Sequence, residues 1–264
     1  MWYKEMLLHL VPEGELCTRC GKRREKSNAN QFAPMDHTPT ADKGMTERYS
    51  VDKTNKVRQL REKAAYDKKS VYEVLDAGLI AHVAFVQDDS PVVVPMIYGR
   101  VDDTIYLHGA RKARVIRLLE KTTRACLNVT LLDGIVLARS AFNSSMQYRS
   151  VTLFGTPVLI EGNDEKLQAM RVISEHSMPG RWGELRAAHE SEVKMTGVIA
   201  LDIESASAKI SANGVEDEDD DYAIPVWAGV LPITTSIGVL QDDVRLLADV
   251  EASDVVKAMQ NRTL

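Results

Sequence analysis

One short stretch, Tyr106-Leu107-His108-Gly109-Ala110-Arg111-Lys112-Ala113-Arg114, has the residue types to hold a charged ligand. An apolar strand ends there, Gly109 permits a tight turn, and a helical pattern over Arg111–Glu120 begins. Helix N-termini leave backbone N–H groups unpaired and carry partial positive charge. Arg111, Lys112 and Arg114 crowd cations into that end, which is unfavourable unless an anion joins them. A phosphate resolves the conflict. The spacing matches neither a Walker loop nor G-x-G-x-x-G. The plain alternative is a solvated basic helix.

Three further segments carry candidate groups. Ala138 to Ser150 is a hydroxyl-rich link between apolar strands, where Arg139 and Arg149 could add charge to the same anion. Pro179-Gly180-Arg181-Trp182 and the stretch Tyr222 to Val230 each set a tryptophan, Trp182 or Trp227, among Pro and Gly. Such a ring either covers an aromatic ligand or locks a loop onto the core. G-x-S-x-G and H-E-x-x-H are both absent. Cys17 and Cys20 form half of a zinc pattern without customary partners, so no metal site is expected. The six acids Glu216–Asp221 read as a solvated loop, with metal binding as the weaker alternative.

The elements that must position these groups are mostly strands. Apolar, β-branched runs fall at Leu79–Val86, Pro91–Tyr98, Thr104–His108, Cys126–Leu132, Ile135–Ala141 and Tyr148–Ile160, joined by hairpin-length links. Asp133-Gly134 has the composition of a hairpin turn. Gly155 and Pro157 predict a bend. Shorter strands follow at Thr196–Ile203 and Ala208–Ser211. Helices are predicted at 68–77, capped by Asp67 with Val71, Val74 and Leu75 inward, at 164–176, and in the tail from Ser253. Residues 53–69, with seven basic side chains, read as a solvated arm. Residues 1–45 read as a disordered or variable extension before a domain over 46–264.

The bulk numbers are those of a soluble globular chain: 44% hydrophobic, 27% charged, net charge −5. Nothing global points to nucleic acid, and no stretch is long enough to span a membrane. Three cysteines fit a cytoplasmic setting.

Together and in order, Ala64–Asp67, Val94–Tyr98, Tyr106–Ala110, Leu131–Gly134, Ala138–Phe142, Tyr148–Val151, Pro179–Trp182 and Pro225–Val230 resemble one family. It is the pyridoxamine 5′-phosphate oxidase-related FMN-binding split-barrel family, in the branch of the nitroimidazole-resistance reductases. The resemblance implies an α+β fold, mainly β: a six-stranded antiparallel split barrel with flanking helices, paired as a homodimer with FMN in the groove. It implies that Val94, Pro95 and Tyr98 flank the flavin ring. His108, Gly109, Arg111, Lys112 and Arg114 would hold ribityl and phosphate oxygens, and Tyr148, Arg149 and Ser150 would close the site. Trp182 and Trp227 would cover the ring, and His108 and Tyr148 would stand near its reacting edge. Ala113 stands where relatives often have a hydroxyl, and Asn143 and Ser144 where they often have histidines. The implied activity is an FMN-dependent oxidoreductase with NAD(P)H as donor. The alternatives are a flavin carrier or sensor without turnover, and a haem-binding or haem-degrading protein with His82 or His108 as axial ligand.

Overall fold

The computed structural model describes residues 47–264, so the expected extension and the Cys17/Cys20 pair lie outside the described residues. Helix α1 spans Lys68–Ala77; the Asp67 carboxylate accepts the Ser70 N–H at 2.8 Å, and Val71, Val74 and Leu75 are fully buried, as the spacing predicts. Burying three such side chains contributes about 1.5–3 kcal/mol each.

Ten strands follow the antiparallel reading. They are β1 (Ala64–Ala65), β2 (Ile80–Gln87), β3 (Ser90–Val101), β4 (Thr104–Ala110), β5 (Ala125–Leu137), β6 (Ser145–Gly155), β7 (Pro157–Ile160), β8 (Thr196–Asp202), β9 (Ser205–Ser211) and β10 (Gly229–Pro232). Every pairing is antiparallel, in the order β1-β9-β6-β5-β2-β3-β4-β8-β7, with β10 against β5. The sheet coils around the core as a split barrel without closing. Among the described residues the ten strands exceed the six that the resemblance implies, and two of the additional four, β1 and β10, are short segments read as arm or loop that satisfy their backbone groups against β9 and β5.

Asp133-Gly134 is not a hairpin turn. The chain runs through it as one strand with a bulge between Leu132 and Gly134, held by β6 on one side and β10 on the other. Pairing on both edges overrides the local turn preference. The bend at Gly155-Thr156 is as predicted: it ends β6 and sends β7 to a different neighbour, β8.

The flanking helices are α2 (Arg114–Leu119), α3 (Asn163–Ser177), α4 (Glu190–Met195) and α5 (Asp254–Met259). The Ser253 hydroxyl caps α5, which bears out the expected tail helix. No helix among the described residues is long and apolar enough to cross a membrane.

The basic arm is not a free solvated segment: Ala64 and Ala65 pair with β9, Asn55 Nδ2 donates to the Ala206 carbonyl, Lys63 Nζ donates to Ser211 Oγ, and Lys68 reaches Asp103. Asp103, in the β3–β4 turn, accepts hydrogen bonds from the Tyr49 and Tyr72 hydroxyls and from Lys68 Nζ at 2.5 Å. Burial works against its charge, but Lys68 and the two tyrosines outweigh it and hold the carboxyl below its ordinary range. A folded pKa below the unfolded one stabilises at neutral pH, and the contribution fades as acid protonates the group below about pH 4. Asp103→Ala should therefore cost about 2 kcal/mol at pH 7. Urea midpoints of wild type and variant should converge toward pH 3; a constant gap would refute the charge argument.

Candidate functional site

Side chains alternate across a strand, so each face can be read from register. On one face of β2 and β3 stand Ile80, His82, Val86, Val93, Pro95 and Ile97, all exposed. His82 lies opposite Pro95, Ile80 opposite Ile97, and Ala84 opposite Val93. This strip is apolar apart from His82.

The same face continues onto β5 and β6 and becomes polar. Asn128 lies beside His82 and opposite Thr152; Thr130 lies opposite Ser150, and Leu132 opposite Tyr148. Asn128 Nδ2 donates to the Val151 carbonyl at 3.0 Å and to Thr152 Oγ1 at 3.1 Å, while Thr130 Oγ1 donates to Asn128 Oδ1 at 2.9 Å. These bonds fix the amide and hydroxyls in orientation. An apolar strip joined to a wired polar strip suits a planar ring system with one greasy and one hydrogen-bonding edge.

β4 brings in the other groups. Gly99 lies opposite Tyr106, and a Cβ at Gly99 would stand 2.8 Å from the Ile173 backbone, so α3 encloses this end of the sheet. His108 lies opposite fully buried Val198. Burial pushes its imidazole below the ordinary range, which keeps it neutral at pH 7. Beyond Ala110 the chain turns: the Arg111 N–H donates to the Met195 carbonyl at 2.7 Å, Ala113 caps α2, and the helix starts only at Arg114. Arg111 and Lys112 thus precede the helix rather than open it, and six residues carry less dipole than the ten expected. Arg111 makes a two-pronged pair with Glu120 at 3.0 and 3.1 Å, and Arg114 Nε donates to Gln87 Oε1 at 3.1 Å.

Of the residues singled out from the sequence, Pro95, Tyr148 and Ser150 stand on the same sheet face, on different strands, and Gly109, Arg111, Lys112 and Arg114 form one turn at the end of β4. Others fall elsewhere. Val94 lies opposite buried Val83 and turns inward. Tyr98 is a core residue, donating its hydroxyl to the Leu75 carbonyl with its ring 4.8 Å from His176. Arg149 closes a two-pronged pair with Asp133 at 2.9 and 2.7 Å.

Arg139 is likewise consumed. Its backbone N–H and guanidinium both reach Asp217, whose side chain is fully buried, and the guanidinium lies over Tyr222. The acidic run is therefore not wholly solvated: one of its acids locks the segment down. Among the described residues no His, Cys, Asp and Glu cluster could hold a metal. Trp182 sits half-buried in a 3₁₀ turn, Arg181–Glu184, where its backbone N–H donates to Glu175 Oε1 at 3.3 Å. Trp227 is 64% exposed and folds toward Gly229.

The sequence reading missed Asn128, Thr130 and Thr152. Their signal was present: in Leu127-Asn128-Val129-Thr130 and Val151-Thr152-Leu153, polar residues alternate with core residues at period two.

A family model described as pyridoxamine 5′-phosphate oxidase matches residues 67–210. The flavocytochrome Anf3 from Azotobacter vinelandii is 35% identical, with 80% of this chain and 98% of that one covered and a TM-score of 0.75. The FAD and heme binding protein from Mycobacterium smegmatis is 36% identical, with 75% and 98% covered and a TM-score of 0.72. No curated protein matches.

Proposed function

This chain belongs to the pyridoxamine 5′-phosphate oxidase family, and from that premise we propose that it binds a flavin nucleotide on the exposed face of β2, β3, β5 and β6 and serves as an oxidoreductase. The observation that carries the reading is the divided face itself. Ile80, Val93, Pro95 and Ile97 fit the dimethylbenzene half of a flavin; Asn128, Thr130, Ser150 and Thr152 fit its pyrimidine edge. The turn at Arg111, Lys112 and Arg114 supplies cations for a flavin phosphate, as FMN has. The names of the two similar structures, a flavocytochrome and a FAD and heme binding protein, support a flavin.

When bound, the flavin supplies the redox chemistry, with a reduced nicotinamide dinucleotide as the proposed donor. The chain orients the ring, keeps His108 neutral beside it as a hydrogen-bonding group, and places the Tyr148 hydroxyl on the same face. Three large apolar side chains, Ile80, Val93 and Ile97, stay exposed on one sheet face. A second copy would cover them, so the protein is proposed to act as a homodimer.

Haem is the second reading. The same two names include it, and His82 stands exposed on the ligand face beside Pro95, where an imidazole could reach an iron. The absorbance spectrum of freshly purified protein, with mass analysis of the heat-released ligand, tests both. The flavin reading expects flavin bands and a flavin mass. A Soret band alone would replace it with haem, and a colourless protein that refuses added flavin would refute it. Steady consumption of reduced nicotinamide would separate an oxidoreductase from a carrier.

A further inference from the structure

The run from Arg111 to Arg124 holds six cations, Arg111, Lys112, Arg114, Arg117, Lys121 and Arg124, against the single acid Glu120, in a chain of net charge −5. Arg111 is spent on Glu120. Among the described residues, Lys112, Arg117, Lys121 and Arg124 form no ion pair. Positive charge this dense on an otherwise acidic protein concentrates anions.

Two of these cations border a cleft. Lys121 and Arg124 stand with Val86, Gln87, Asp88 and Leu118 around a cavity of about 450 Å³ between the β2–β3 turn and the far end of α2. The chemistry of the lining is divided. Val86 and Leu118 offer an apolar wall, the Asp88 carboxylate can accept from a ring amine, and the cations, with the nearby Thr123 hydroxyl, can take a phosphate.

This cleft is separate from the turn assigned to the flavin phosphate. Arg114 opens α2 and Lys121 follows its end, so the six-residue helix, about 9 Å of rise, lies between them. Arg114 connects the two places, because its guanidinium bonds Gln87, which lines the cleft.

We propose that the cleft is a second phosphate site that takes the adenosine-phosphate end of a dinucleotide. The dinucleotide part rests on the flavin reading above; binding of an adenosine phosphate does not. That end can belong to the flavin itself, as in FAD, or to a nicotinamide donor.

The test compares the full chain with its Lys121→Ala/Arg124→Ala variant, in which two exposed side chains are shortened and the fold is checked by circular dichroism. AMP is titrated calorimetrically, FMN and FAD affinities are measured by fluorescence quenching, and the KM for NADH is determined. AMP binding should weaken about tenfold or more, the scale of one lost charge-assisted contact, with FMN unchanged. A parallel loss for FAD places the flavin's own adenylate in the cleft; a raised KM for NADH with FAD unchanged places the donor's there. AMP that does not bind the wild type, or binds both proteins equally, overturns the proposal. So does an equal loss of FMN and FAD, since the cleft would then serve the first phosphate. A wild type that binds AMP in a charge-dependent way but no flavin would remove the flavin reading and leave the site standing.

Discussion

Replacing Arg111, Lys112 and Arg114 together with alanine is expected to weaken flavin binding about a thousandfold, so that the protein is purified colourless. Each charge-assisted hydrogen bond to a phosphate contributes roughly 1.5–3 kcal/mol, or about one to two decades of affinity. The three contributions share one anion and will not add fully. The fold should survive. Lys112 and Arg114 are exposed, and Arg111 loses only a surface pair with Glu120, a kind of contact that stabilises little. The measurement is equilibrium flavin affinity alongside thermal melting of the ligand-free protein. Wild-type affinity in the triple variant would place the phosphate elsewhere; a collapse of the melting transition would mean that the turn is structural.

Gly155→Ala should have the largest effect on stability. A Cβ at Gly155 would stand 2.0 Å from the Asp202 carbonyl oxygen and 2.8 Å from Leu201 Cδ2. Asp202 ends β8 and Gly155 ends β6, so the clash is backbone against backbone at the point where the chain leaves one set of strands for the other. Neither side can yield without breaking ladder bonds, and the cost is about 3 kcal/mol or more. For a folded unit of this size that lowers Tm by roughly 6–12 °C. Thr156→Ala, one residue on, removes exposed hydroxyl contacts and should shift Tm far less. Equal melting of Gly155→Ala and wild type would show that the bend relaxes freely.

Much of this was legible in the chain. The inward face of α1, its Asp67 cap, the run of antiparallel strands and the bend at Gly155 all follow from periodicity and turn chemistry, because each depends on neighbours in sequence. The basic turn after Tyr106 was legible for the same reason: Gly109 and the three cations that follow it are neighbours in the chain. The ordered set of motifs also identified the family.

What the sequence could not decide were questions of long-range pairing. Whether Asp133-Gly134 turns or continues depends on β6 and β10 both claiming that strand. Whether Tyr98, Arg139 and Arg149 face a ligand depends on Leu75, Asp217 and Asp133, which are 23, 78 and 16 residues away. Those partners hold the hydroxyl and both guanidinium groups within the chain, although Arg139 Nε is buried without a hydrogen-bond partner. The divided exposed face of β2, β3, β5 and β6 is likewise a product of register. Asn128 and Thr130 are only alternating polar residues until β6 sets Thr152 and Ser150 opposite them and β2 sets His82 alongside. Local sequence determined the strands and the charge, because propensity and turn chemistry act over a few residues. The tertiary structure decided which side chains remained free to bind, because burial and pairing are settled between segments far apart in the chain.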